Sequence, residues 1–422
     1  MLTPGVSPEG VTVIPCCDAG HPRRAGGCPS YTREVSGTYL DYAASTPMRP
    51  EAIAAMEPYL SGVFANPSGI HRAAQAAKTA LEEAREVIAE QLGARPGEVV
   101  FTGGGTEADN LAVEGGARRR RDVGAQDGVV TTAIEHKGVL AAVERLGREG
   151  FAVTVVGVDS GGVVDLGALA AALDARTAVV SVMLVNNEVG TVQPLDDVAA
   201  LVRERAPNAV LHTDAVQAVP WLDVASHAQG VDLIAVSAHK FGGPKGTGVL
   251  VVRDGVALTP LIEGGGQERG LRAGTVNVAG AVAMAAAMRT AAEQRTVEVR
   301  RIGDLRDRLQ QGLLAIPDAF SNGSQIHKVA GNCHVGFRGV EAETLLVALD
   351  LEDVYAAAGS SCSSGATEPS HVLAAMGVPR DDALASIRLS LGSASTSADI
   401  DRALEIIPSA VTGLRARAGI LA

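Results

Sequence analysis

The 422-residue chain is poor in aromatic residues, at 3%, and has one tryptophan. Its core must therefore be assembled mainly from aliphatic and small side chains. It also lacks an excess of basic charge: the net charge is -12, which argues against broad binding to nucleic acid. No apolar run reaches the roughly 18 residues expected of a membrane span. The start has no basic segment followed by an apolar core, so no secretory signal is expected. The five cysteines, Cys16, Cys17, Cys28, Cys333 and Cys362, are odd in number and irregularly spaced. That excludes a disulfide framework and suits a reducing, cytoplasmic location. What is abundant is glycine, with 49 residues, in a chain 46% hydrophobic and 20% charged. This composition suits an α/β protein with many tight turns and alanine-rich helices, and the length suggests about two or three domains.

Residues 1–37 are rich in Pro, Gly and small polar residues and hold no period, so a disordered tail is expected there. Cys16, Cys17, His21 and Cys28 invite a zinc site, but their spacing fits no familiar two-plus-two ligand pattern, and no metal is expected. From Thr38 the chain alternates. Helices are expected over 49–60, 71–92 and 195–205, and strands over 99–102, 129–134, 152–156, 177–185, 210–214, 231–236 and 248–252. Such alternation implies a mostly parallel sheet covered on both faces.

Polar residues fall just past the strands. Thr106, His136, Asn187, Asp214, Gln217, Ser237, His239 and Lys240 all do so, at the edge where open α/β sheets bind ligands. After the strand ending at Thr102, Gly103, Gly104, Gly105 and Thr106 lead into a helix, a turn whose N–H groups can cradle an anion. It is not a dinucleotide fingerprint, so a single phosphate fits better. Lys240, at a strand end before a glycine-rich turn, can hold a phosphorylated carbonyl compound as a Schiff base, or be a solvated surface lysine. Asp214 is a candidate carboxylate for a pyridinium nitrogen, Gln217 a donor to a phenolic oxygen, Asn187 a ligand for that oxygen or a carboxylate, and His136 a cover for a ring. Taken singly, each also reads as an ordinary turn, surface or core residue.

Together these stretches resemble the pyridoxal-phosphate enzymes of aminotransferase class V, and within them the cysteine desulfurases of the NifS/IscS type. The resemblance is carried, in family order, by Tyr39 to Pro47 (Tyr-Leu-Asp-Tyr-Ala-Ala-Ser-Thr-Pro), Asn66 to Ser68, Phe101 to Leu111 and Glu135 to Lys137. It continues through Val185 to Gly190, His212 to Gln217, Ser237 to Lys240, Gly264 to Thr275, Gly359 to Ser364, Glu368 to Ser370 and Ile387 to Gly392. It implies the aspartate aminotransferase-like fold: a large domain over 51–290 with a mostly parallel sheet, and a smaller α+β domain from 38–50 and 291–422.

The resemblance also implies roles. Lys240 carries pyridoxal 5'-phosphate, Asp214 pairs with the pyridine nitrogen, Gln217 and Asn187 meet the phenolic oxygen, and His136 stacks on the ring. Gly105, Thr106, Ser237 and His239 hold the phosphate, joined by Thr275 reaching the phosphate of a neighbouring subunit in a homodimer. Arg388, with Asn66 and Asn187, clamps the substrate carboxylate. Lys240 moves the α-proton, and Cys362, set among Gly and Ser, attacks the sulfur of L-cysteine to give a persulfide and L-alanine. The sulfur then passes to an acceptor protein, an iron–sulfur scaffold or a tRNA-thiolation protein, without membrane or direct nucleic-acid contact. The other readings are a selenocysteine lyase, another class V aminotransferase, and a non-catalytic scaffold subunit. Departures from the family pattern, at Ala238, Gln267, Ala273 and Ser363, remove none of these roles. The basic run Arg118 to Arg121 reads as a solvated helix face, or as a contact for tRNA or an acidic partner.

Overall fold

The computed structural model describes residues 37–359 and 368–419. The expected N-terminal tail, with Cys16, Cys17, His21 and Cys28, lies outside the described residues except for Gly37, and so does Cys362. Among the described residues the strands, in chain order, are β1 (Thr38–Tyr39), β2 (Val99–Thr102), β3 (Gly128–Thr132), β4 (Ala152–Val156), β5 (Thr177–Ser181) and β6 (Val210–Asp214). They continue as β7 (Leu233–Ser237), β8 (Gly248–Val252), β9 (Ala319–Ser321), β10 (Asn332–Phe337), β11 (Val354–Tyr355) and β12 (Ser386–Ser390).

A seven-stranded sheet runs in the order β2-β8-β7-β6-β5-β3-β4. Its pairings are parallel from β7 to β4, while β8 runs against both β2 and β7. β2 therefore points the same way as the parallel strands, and its carboxyl end joins theirs on one edge. Every residue of β5, β6, β7 and β8 is buried. These strands read as continuous apolar runs because both faces are covered.

Small side chains let helices close on the sheet. The helix Arg72–Gln91 buries Ala74, Ala77, Ala80, Leu81, Ala84 and Ile88. The 37-residue helix Val278–Leu314 packs beside it, started by the Asn277 side chain accepting from the Gly280 N–H at 2.9 Å. At 1.5 Å per residue it is about 55 Å long, long enough to enter two cores. Ala281, Met284, Ala285, Met288 and Ala291 join the core of the large sheet. Ile302, Leu309 and Leu313 join a second core with Leu40, Val335, Phe337, Leu345, Ile387, Leu389 and Ile407. That second core is formed around the antiparallel sheet β12-β10-β9, beside the pair β1-β11. Cys333 lies on β10, fully buried, and burial pushes its thiol up to about 11. Such a thiol is inert at neutral pH.

Several expected elements end differently, among them the strand expected over 129–134, which stops at Thr132. The helix expected over 49–60 is two helices, Pro50–Met56 and Pro58–Ser61. Each begins on a proline, which suits a first turn but cannot donate to a preceding one. The strand expected over 177–185 leaves the regular ladder after Ser181. Val182 and Leu184 still donate to the β6 carbonyls of His212 and Asp214, but the Met183 N–H between them goes to the Glu135 carboxyl at 2.8 Å.

Candidate active site

The carboxyl ends of β2, β3, β5, β6 and β7 meet at a cavity of about 300 Å³. Gly105, Thr106, His136, Asn187, Asp214, Gln217, Ser237, His239, Lys240 and Arg388 all line it. Ten residues spread over nearly 300 positions of sequence thus face one space.

Lys240 leaves β7 through a short turn, Ala238–Lys240. The Ala238 N–H is held by the Thr247 carbonyl at 3.0 Å, and the Ala238 carbonyl takes the Gly243 N–H at 2.9 Å. A Cβ on Gly243 would stand 2.7 Å from that of Ala238, so glycine lets the turn close. The Lys240 ammonium donates to the carbonyls of Ala43 (2.6 Å) and Ala44 (3.0 Å), and Gln217 Nε2 also donates to Ala43, at 2.8 Å. The segment before Pro47 therefore roofs the cavity. Thr46 fixes it to the turn through two bonds to the His239 carbonyl, at 3.0 and 2.9 Å. Burial, with Lys240 and Lys245 nearby, lowers the His239 imidazole to about 4, so His239 is neutral at neutral pH.

Gly104 and Gly105 build the cradle. Gly104 has φ +150°, and a Cβ there would point into open space 4.0 Å from Ser237 Oγ. A Cβ on Gly105 would stand 2.7 Å from Val216 Cγ2. Gly105 and Thr106 open a continuous helical run to Gly124, whose first N–H groups have no helical acceptor. Gly105→Ala should therefore push Val216 and, through its N–H, Asp214. We expect phosphate-bearing ligand affinity to fall about tenfold, ~1.4 kcal/mol, measured by equilibrium titration; unchanged affinity would mean that this turn is not the phosphate cradle.

Asp214 ends β6, and its Oδ1 accepts the Val216 N–H at 2.9 Å. Burial raises its pKa; His136, the Val216 N–H and Lys240 oppose that rise. His136 caps the helix Lys137–Arg148, with Nδ1 accepting the Gly138 N–H at 3.0 Å. A carboxyl oxygen of Asp109, a ring nitrogen of His136 and a carboxyl oxygen of Asp214 lie within 4.8 Å of one another. Glu135, behind them, accepts from Thr132 (2.7 Å) and Met183 (2.8 Å), and burial pushes its carboxyl up to about 8.

Arg388 enters from β12 and is only 2% exposed. Its guanidinium meets Asp41 Oδ1 at 2.7 Å and donates to the carbonyls of Gly359 (2.8 Å) and Asn187 (3.0 Å). Two predicted residues do not line the cavity. Asn66 is exposed, with Oδ1 accepting the Ser68 N–H at 2.9 Å, and Thr275 is exposed after Gly274. The basic run is partly neutralised: Arg118 pairs with Glu114 (2.8 Å) and Glu149 (2.7 Å), and Arg121 stacks on Phe151.

Among the titratable residues that line the cavity, sequence reasoning left Asp109, Lys137, Glu188 and His371 without a role. A signal existed for Asp109. It lies three residues after Thr106 on the helical run, and so on the same face.

The chain resembles several known proteins over nearly its whole length. Residues 38–403 match the family Aminotransferase class-V. The chain is 42% identical over 382 residues to the cysteine desulfurase IscS of Methanosarcina thermophila, covering 90% of this chain and 94% of that protein. It is 46% identical over 390 residues to the IscS-like cysteine desulfurase of Mycobacterium tuberculosis, covering 91% and 98%. Among solved structures, a NifS-like protein superposes with a TM-score of 0.84 at 35% identity, covering 90% of this chain and all of its own. With the match spanning nearly all of both cores and every strand that faces the cavity, this chain belongs to the class V aminotransferase family.

Proposed function

We propose that the protein is a cysteine desulfurase that converts L-cysteine to L-alanine and takes the sulfur onto Cys362 as a persulfide. The observation that carries this reading is the convergence of Lys240, Asp214, Gly105, Thr106 and Arg388 on one cavity. Likeness to cysteine desulfurases over about nine-tenths of the chain supports it.

The cavity fits pyridoxal phosphate. Gly104 leaves beside Ser237 the space a Cβ would fill, and buried Asp214 offers a carboxylate to a ring cation. Gly105, Thr106, Ser237 and His239 would hold the phosphate, Gln217 and Asn187 the phenolic oxygen, His136 the ring face and Lys240 the carbonyl carbon. Bound there, the cofactor supplies an electron sink for the charge left when an α-proton is removed. The protein's own residues do the rest. Arg388 orients the substrate carboxylate with a planar pair of donors. Lys240 Nζ takes the α-proton and returns one as general base and acid. Cys362, as thiolate, attacks the substrate sulfur: the S–S bond forms as the C–S bond breaks, and the three-carbon product leaves as alanine after protonation.

The protein works as a homodimer in this reading. Exposed Ile53, Leu60, Phe64 and Ile70, close in sequence to Asn66, support a partner surface, as does Thr275 lying outside its own cavity. The two cores joined by one helix support a division into a cofactor-binding domain over 51–290 and a smaller one over 38–50 and 291–422. An iron–sulfur scaffold or a tRNA-thiolation protein takes the sulfur in the cytoplasm, the compartment that suits a free nucleophilic thiol. Among the described residues no helix is long and apolar enough to cross a membrane.

The test is cysteine turnover by the purified, cofactor-loaded protein beside Cys362→Ala. We expect equal amounts of alanine and sulfide, in the presence of a thiol reductant, from the wild type. Cys362→Ala should keep the cofactor's visible absorption and release no sulfide. Equal activity in that variant would remove Cys362 from the mechanism.

A further inference from the structure

The cavity wall holds a carboxyl group that the proposed chemistry leaves without a task. Asp109 is 1% exposed, and its Oδ1 accepts no hydrogen bond. It lies 3.5 Å from Nε2 of His212, which is fully buried and likewise without a hydrogen bond at that atom. The other ring nitrogen of His212 is 2.9 Å from Ser181 Oγ. Burial lowers His212 to about 3, so it is a neutral ring and provides no countercharge. On its other side, Asp109 has a carboxyl oxygen within 4.8 Å of one on Asp214. Glu135, also fully buried, adds a third acid to the group.

Two desolvated carboxylates this close do not both ionise, and the proton goes to the one whose charge is less well supported. The environments differ. Asp214 accepts the Val216 N–H and has His136 and Lys240 as its charged or chargeable neighbours. Asp109 faces neutral His212 and the two acids Asp214 and Glu135. Burial first, then Asp214 and Glu135, raises the Asp109 carboxyl well above the usual carboxylate range.

We propose that Asp109 is a positioning residue that stays protonated beneath Asp214, leaving Asp214 as the single anion that faces the ring nitrogen of a bound pyridoxal phosphate. The inference rests on the cofactor reading above. Its physical content is charge placement. An ionised Asp109 would share the cation with Asp214 and draw the proton away from the ring. A neutral Asp109 concentrates the negative charge on the carboxylate that the cofactor meets.

The experiment uses the cofactor-loaded protein and two probes. Infrared spectra at neutral pH are compared between protein with ordinary and with carboxyl-¹³C aspartate; Glu135 is silent in this comparison. We expect a protonated-acid carbonyl band that moves on labelling and is lost in Asp109→Asn. The second probe is ¹⁵N-labelled pyridoxal phosphate, whose nitrogen shift reports ring protonation. The asparagine variant, a neutral isostere, should keep the wild-type shift. An absent aspartic-acid band in the wild type overturns the proposal without any variant having to fold. So does a ring that loses its proton in Asp109→Asn. A wild-type protein that binds no cofactor overturns the cofactor reading itself, and this role with it.

Discussion

Lys240→Ala is expected to abolish turnover while leaving the fold intact. Loss of the proton transfer alone lowers a rate by roughly 10²–10⁴-fold, and loss of the covalent hold on the cofactor adds to it. The fold is expected to survive because the bonds from the Lys240 ammonium to the Ala43 and Ala44 carbonyls, at 2.6 and 3.0 Å, lie beside an open cavity that admits water. The Thr46 bonds to the His239 carbonyl still pin the roof. The measurement is single-turnover alanine formation alongside thermal unfolding. A variant that still turns over within tenfold of wild type would remove Lys240 from the proton path. A variant that unfolds much earlier would show that the lysine also holds the roof.

Arg388→Ala should do the opposite, damaging both stability and substrate binding. The guanidinium is 2% exposed on its side chain and joins Asp41, 21% exposed, to the loop carbonyls of Asn187 and Gly359. Breaking a buried pair by removing one partner costs about 3–5 kcal/mol because the other charge is stranded. Asp41 retains some water, so the lower end, about 3 kcal/mol, is expected. Substrate binding should weaken by roughly 2–5 kcal/mol, since a buried carboxylate would lose its charged donor. Arg388→Lys keeps the charge but not the planar fork, so it should recover part of the stability and little of the affinity. Denaturant titration and the dependence of rate on cysteine concentration separate the two effects. An unchanged KM in Arg388→Ala would show that another group binds the carboxylate.

Much of this site is legible in the sequence because of one regularity. Buried strands have a single polar exit, so Asp214, Ser237 and Lys240 stand out at the ends of apolar runs. The glycine turn is legible for the same kind of reason: a strand ending at Thr102 must become a helix at Gly105, and only small residues allow that approach. Other features depend on distances that the sequence does not express. Asp41 meets Arg388 across 347 positions. Asp109 reads as a helix residue in a familiar motif until it is seen 3.5 Å from neutral His212 and close to Asp214. The early break after Ser181 comes from a side chain, Glu135, that takes one backbone donor, which no periodicity reveals. Asn66 and Thr275 do not line the Lys240 cavity, which their places in the sequence do not reveal.

The central claim is that sulfur leaves cysteine and arrives on Cys362 by chemistry centred on Lys240. The most direct measurement is peptide mass spectrometry of the cofactor-loaded protein after brief exposure to cysteine without reductant. The peptide containing Cys362 should gain the mass of one sulfur atom, the gain should vanish on adding reductant, and it should be absent from the Lys240→Ala protein treated alike. A Cys362 peptide that gains nothing while alanine accumulates would contradict the account.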